Sequence, residues 1–377
     1  MLSSGLMTPI ATPRSSVARA DALAWGLWLA LAGLVGYAFW GQRVEGPLTT
    51  FQWLTAHWHD VSHYSHGPLI PLIATFLLWW NVSHQHREQK DWRGFWRPTQ
   101  VAGGVMGLWF MSNSFGKEAE LTVYVWVMRL LPVLLAWQVW SLRRWLVGDE
   151  SWTTRRGLAA VTGAMALYYA GVKAAQPRVA VIGFVVLLYG LAWALTGPAG
   201  RRALFFPITF LFLMVPLNFL EERVAVPLRH LMAFASTGLL NLLGIETVQR
   251  GTAILSNVFH FDVANPCSGI QSLMALTTVT AAYAYVTQVA QWKRWVLFLS
   301  ALPLAVLGNL ARVTSIALVA QAYGQELATK AYHDWSGFLV FAVALAAMVG
   351  FGWLLDLPYR QLWQRWTKST GSKLSTA

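Results

Sequence analysis

The chain contains a single cysteine, Cys267, in the stretch NPCSGIQSL at 265–273. Arg312 interrupts the apolar run GNLARVTSIAL, and His333 follows in AYHDWSGFLVF. A thiol, an imidazole and a guanidinium are sufficient for acyl transfer. The thiolate attacks a carbonyl, and the imidazole takes the thiol proton and returns it to the leaving amine. The guanidinium stabilises the oxyanion or holds a substrate carboxylate. The residues around Cys267 suit a reactive thiol. Asn265 is a good N-cap, Pro266 fits the first helical position, and Cys267 falls in the first turn. A helix N-terminus favours the thiolate and lowers its pKa. Ser268 and Gly269 leave open space beside the sulfur for a substrate backbone, and Ser268 and Asn309 are candidate hydrogen-bond donors. Each residue also has a plainer reading: a packed thiol, an arginine snorkelling to headgroups, and a polar interfacial histidine.

The composition defines the elements that must carry these groups. Of 377 residues, 56% are hydrophobic and 12% charged, and there are 22 Trp. Soluble domains carry about twice that share of charge. Apolar runs of roughly 20 residues recur, the length that crosses a bilayer core of about 30 Å. The expectation is an all-α polytopic transmembrane bundle of about 8–10 spans. The spans are read at 22–41, 67–82, 99–115, 121–141, 157–174, 179–196, 203–219, 267–290, 295–320 and 336–356. Residues 220–244 have an apolar helical face but carry Glu221, Glu222, Arg223 and Arg229, which suits a helix in the interface. The expected organisation is a tail at 1–21, an N-terminal membrane region at 22–200, a catalytic membrane core at 201–358 and a basic tail at 359–377.

The net charge of +12 assigns orientation rather than a nucleic-acid partner. With both termini cytoplasmic, the inner segments hold most of the 28 Lys and Arg, including Arg143, Arg144, Arg201, Arg202, Lys293 and Arg294. That is the asymmetry expected of cytoplasmic loops. The Cys267 span then runs inward from the outer face. Arg312 follows Trp295 by about 17 residues, or about 26 Å, and returns to that face. His333 precedes the last span on the same side. Three unlike groups on consecutive spans therefore share one depth. The lone cysteine excludes an intramolecular disulfide and a cysteine-based cluster.

At these residues the sequence resembles the exosortase/archaeosortase family of membrane transpeptidases. PCSGIQSL, GNLARV and YHDWSGFLVF occur in that order on consecutive spans. FPITFLFLMVPLN, LLGIETVQRGTAI and SHGPLIPLI resemble the family upstream. The resemblance is strong over about 205–355 and patchy before that. It implies that Cys267, Arg312 and His333 are the catalytic residues. It also implies substrates that are exported proteins ending in a recognition motif, one membrane helix and a basic tail. Cleavage through a thioester and transfer of the new carboxyl end to an unidentified acceptor would follow, in a setting of extracellular polysaccharide. The implied location is a prokaryotic plasma (inner) membrane, with the site facing outward. No cofactor or metal is expected, and the lipid bilayer is the other partner.

Further polar residues have assigned readings. HWHDVSHYSH carries His57, His59, Asp60, His63 and His66 in one outer loop. His59 and His63 have zinc spacing if helical, but shaping the entry to the second span is the preferred reading, with His66 lining the substrate cleft. Glu118 and Glu120, with Lys117, read as solvated loop charges. Asp334 could orient His333 only across a sharp turn. A protease that releases its product to water fits the same residues as a transpeptidase. A transporter, or a non-catalytic component of polysaccharide export, would leave Cys267 incidental. Transporter sites usually lie near mid-bilayer, however, and these groups gather near one face.

Overall fold

The computed structural model describes residues 36–59, 64, 66–85, 99–101, 104–105, 117–146, 155–195, 198–216, 218–263 and 270–357. The chain is all-α, and the described residues include two small antiparallel sheets. In order, β1 (Arg43–Glu45) and β2 (Leu48–Thr49) form a hairpin, followed by α1 (Thr50–His59), α2 (Leu69–Gln85), α3 (Lys117–Leu146), α4 (Arg155–Lys173) and α5 (Pro177–Leu195). Then come α6 (Pro198–Phe210), α7 (Asn218–Leu242), β3 (Thr247–Arg250), β4 (Ala253–Ser256) and β5 (His260–Asp262). The last described helices are α8 (Ile270–Thr287), α9 (Gln291–Tyr323) and α10 (His333–Asp356). By length and apolar composition, three helices among the described residues can cross a membrane: Pro177–Ala194, Gln291–Tyr323 and Trp335–Asp356.

The expected spans at 67–82, 121–141, 157–174, 179–196, 267–290, 295–320 and 336–356 each coincide with a helix. The expected spans at 22–41 and 99–115 fall mostly outside the described residues. The expected continuous span at 203–219 is not one helix. α6 carries Pro207, gives way to a 3-10 turn at Leu211–Met214, and stops before α7 begins at Asn218. Val215, directly before Pro216, is extended at φ −79° and ψ 118°, as expected of a residue preceding proline, and this ends the helical run. Lys117, Glu118 and Glu120, read as a loop, instead form the first turn of α3. Acidic residues are favoured there by the helix dipole.

α4 and α5 form a hairpin whose backbones touch. A Cβ at Gly183 would lie 2.9 Å from the Tyr168 amide nitrogen, and one at Gly171 would lie 2.6 Å from the Ala180 nitrogen. Between apolar helices in lipid, such close approach maximises dispersion contact where no hydrophobic force operates. Gly183→Leu is expected to separate the pair and lower the melting temperature in detergent by several degrees. Phe338→Leu on the exposed surface of α10 serves as the comparison and should change it little.

α8, α9 and α10 form an up-and-down unit. Leu276 and Ala284 pack with Leu297, Ala301 and Ala305 of α9 and with Ala344 and Met348 of α10. One end of the unit is tied by polar contacts. Lys293 Nζ reaches Asp356 Oδ1 at 2.8 Å, Gln288 Nε2 donates to Asp356 Oδ2 at 3.0 Å, and Arg294 Nε donates to the Gln288 carbonyl at 2.7 Å. This lock joins the end of α8, the start of α9 and the end of α10. The start of α8, the last third of α9 and the start of α10 therefore share the opposite end.

Candidate functional site

The site end is organised by the length of α9. At 33 residues it extends about 50 Å, well beyond a bilayer core of about 30 Å. Its last turns carry Val313, Ile316, Ala317 and Ala320, which pack against Met232, Ala233 and Leu240 of α7 and against Ile254, Phe259 and Val263 of the three-stranded sheet. The sheet, up to Val263, is thereby held beside the last turns of α9. Cys267 itself, with Ser268 and Gly269, lies outside the described residues. The described residues on either side are Val263, after β5, and Ile270, the first residue of α8.

Arg312 lies on α9 about 11 residues before its end and is half-buried. It faces the first turn of α10. Its Nε lies 3.4 Å from the Ser336 hydroxyl, and Ser336 is 1% exposed. A Cβ at Gly337 would lie 3.3 Å from an Arg312 terminal nitrogen, so the absence of a side chain there leaves room for the guanidinium. Asn309, one turn earlier, is buried at 3% exposure. His333 is the first residue of α10, reached through a π-helical turn at Ala328–Tyr332. The structure thus brings the backbone of His333, the side chain of Arg312 and buried Asn309 to one end of one helical unit. The expected common depth also includes Cys267, which lies outside the described residues.

His66 comes to this end by another route. Asn81 of α2 accepts from the Tyr285 hydroxyl of α8 at 2.9 Å and donates to the Ala203 carbonyl of α6 at 2.8 Å. Tyr285 also stacks on Phe206 at 3.7 Å between centroids. One turn earlier in α8, Ala281 and Ala282 lie against the cluster that contains Ala74 and Leu77 of α2. α2 and α8 therefore run in the same direction. Their N-termini lie about 18 Å and 22 Å from the shared contact, at the same end of the molecule. His66 caps this end of α2 by accepting from the Leu69 amide at 3.0 Å. Its ring stacks on buried Tyr64. Next to it, the Trp58 indole covers Gly67 and donates to the Met214 carbonyl at 3.2 Å.

The other histidines of the HWHDVSHYSH stretch are only partly described. His57 Nδ1 lies 2.9 Å from the Trp53 carbonyl in its own helix, and His59 ends α1. Asp60 and His63 are outside the described residues. Among the described residues no group of three His, Cys, Asp or Glu could hold a metal. Arg223 and Arg229 lie on α7 with Glu221 and Glu222. Phe234 and Leu242 of that helix are 70% and 85% exposed, in keeping with a helix against the interface.

The three-stranded sheet is the element of this site that sequence reasoning missed. It runs β3–β4–β5, antiparallel throughout. TVQR and AILS are separated by Gly251-Thr252, and Gly251 has φ +65°. A two-residue loop with glycine first is a hairpin signal, but it was overshadowed by the membrane-span pattern on both sides.

A helical membrane protein with its arginine, buried asparagine and last-helix histidine at one end of a three-helix unit is the class this geometry defines. Within that class, the transmembrane exosortase family model matches residues 126–350, more than half of the chain, and the chain belongs to that family. No curated protein and no solved structure matches the chain. His66 lies outside the matched range, and only the fold connects it with the site end.

Burial lowers the His66 pKa from 6.5 to about 4, so the imidazole is neutral near pH 7. Its Nδ1 is buried with no hydrogen-bond partner among the described residues. Below pH 6.5 the unfolded chain binds a proton that folded His66 refuses, so stability falls as pH drops from 6.5 towards 4. Melting curves in detergent between pH 7 and pH 4.5 should show this slope in the wild type and a shallower one in His66→Gln.

Proposed function

We propose that this exosortase-family protein is a membrane cysteine transpeptidase or protease that processes the C-terminal ends of exported proteins. Its substrates carry a recognition motif, one membrane helix and a basic tail. The observation that supports the reading is the seating of Arg312 against the first turn of α10, the helix His333 begins, at the end where the segment bearing Cys267 enters α8.

The steps follow from the residue types. His333 accepts the proton of Cys267, and the thiolate attacks the carbonyl carbon of the scissile peptide. The oxygen gains negative charge, which Arg312 stabilises. The C–N bond breaks, the amine leaves with the proton held by His333, and the substrate's new carboxyl end remains as a thioester on Cys267. An acceptor nucleophile then attacks the thioester and restores the thiol. An amine acceptor gives transfer, and water gives hydrolysis. Ser268, Gly269, Asn309 and His66 are assigned to substrate binding. The active site faces the outer side of the inner membrane, next to extracellular polysaccharide assembly. A transporter role is disfavoured because the polar groups sit at the end of the unit rather than midway along it.

The test is co-expression with an exported protein bearing the three-part signal, followed by blotting for its size. Wild type is expected to process it. Cys267→Ala should abolish processing, and Arg312→Ala and His333→Ala should each reduce it by about a hundredfold or more. Mass analysis of the new C-terminus separates transfer from hydrolysis. Undiminished processing by Cys267→Ala would sink the reading.

A further inference from the structure

β5 is an edge strand, and its free edge is only half covered. The register pairs Ile254 with Phe261 and Leu255 with His260. Val263 donates to the Thr252 carbonyl at 3.1 Å, and Ser256 donates to the Phe259 carbonyl at 2.8 Å. In an antiparallel pair, hydrogen-bonded and non-hydrogen-bonded positions alternate. Phe259, Phe261 and Val263 therefore bond inward to β4. The backbone groups of His260 and Asp262 point the other way, out of the sheet.

At His260 a side chain substitutes for a neighbouring strand. The Gln325 amide accepts from the His260 N–H at 3.2 Å and donates to the His260 carbonyl at 2.7 Å. It reaches this position because α9 ends at Gly324, whose φ of +92° and ψ of 156° turn the chain onto the sheet. Side chains rarely tolerate that conformation. At Asp262, one step further along the edge, no described group bonds the outward N–H or carbonyl. The Asp262 carboxylate is turned aside, accepting from the Thr252 hydroxyl at 2.6 Å. The open step is the one nearer the cysteine in sequence, since Cys267 follows Asp262 by five residues, at most about 17 Å of extended chain.

We propose that the extended peptide segment beside the scissile bond of the substrate adds to β5 as a further strand, pairing with the outward N–H and carbonyl of Asp262. The inference rests on the processing role assigned to Cys267. Gln325 closes the step at His260 and leaves open the step at Asp262, the one closer in sequence to Cys267. Main-chain pairing of this kind holds a peptide extended with little demand on its side chains. An extended backbone also exposes its carbonyl to attack.

The edge can be tested without touching the inward pairing. Asp262→Pro removes one outward N–H that β4 does not use, a position where proline is tolerated in an edge strand. Asp262→Ala also loses the Thr252 contact but keeps the N–H. In the co-expression assay Asp262→Pro should process at least tenfold more slowly than Asp262→Ala, while both keep the wild-type melting temperature in detergent. Equal processing by the two variants would overturn strand addition. Loss of processing in Cys267→Ala alone would leave the catalytic reading standing, whereas full processing in Cys267→Ala would remove that reading itself. Hydrogen exchange on the wild-type protein alone covers the case in which the proline variant does not fold. The Asp262 amide should exchange far faster than those of Phe261 and Val263, and protection equal to theirs would mean that the chain already covers its own edge.

Discussion

A guanidinium inside an apolar helix is costly unless it reaches water or polar partners, and Arg312 imposes that requirement on everything around it. Its solution is positional. α9 is long enough to carry Arg312 into its last third and still extend about 16 Å beyond. The first turn of α10 presents Ser336 to the Nε and leaves space at Gly337 for the planar group. A hydrophobic side chain at either position would oppose this arrangement. The apolar run thus tolerates one charge because the neighbouring helix begins where that charge needs a partner.

The rest of the unit fixes that coincidence. The Asp356–Lys293–Gln288–Arg294 contacts close the opposite end and set the relative registers of α8, α9 and α10. The Lys293–Asp356 pair is partly exposed, so its net contribution is small. Its value lies in register, because a slip of one residue changes which side chains meet at the site. At the site end the overshoot of α9 gives the small sheet a surface to pack on. The sheet packs there against both α7 and α9. Asn241 of α7 bonds the Thr247 amide at 2.8 Å and its carbonyl at 3.1 Å, which fastens the first strand to the same assembly.

Much of this was legible in the sequence because a bilayer imposes length and periodicity on helices. The long apolar runs located seven helices, and residue counting at 1.5 Å per residue put Arg312 at the level of the α10 N-terminus. Local chemistry inside the runs was harder to read. FPITFLFLMVPLN reads as one span, yet the 3-10 turn and extended Val215 before Pro216 divide it, because hydropathy does not report backbone breaks. The strands of three or four residues fell below the length at which alternation is distinguishable from a loop. The side-chain amide of Gln325 bridging β5 has no sequence signature, since it depends on where α9 ends. His66 could be named as a candidate from SHGP, but its location at the site end required the Asn81–Tyr285 contact between helices far apart in sequence. The immediate surroundings of Cys267 lie outside the described residues.

The central claim is that Cys267 and His333 converge, and the single native cysteine allows it to be measured directly. In the His333→Cys variant the introduced thiol would be the only possible intramolecular partner of Cys267. Membranes carrying this variant would be treated with a short thiol-bridging reagent and digested, and peptides containing positions 267 and 333 sought by mass. The account predicts a bridged peptide pair, formed within one chain and independent of protein concentration. Single modification at both thiols with no bridge would contradict it, because the thiol and the imidazole would then be too far apart to share a proton.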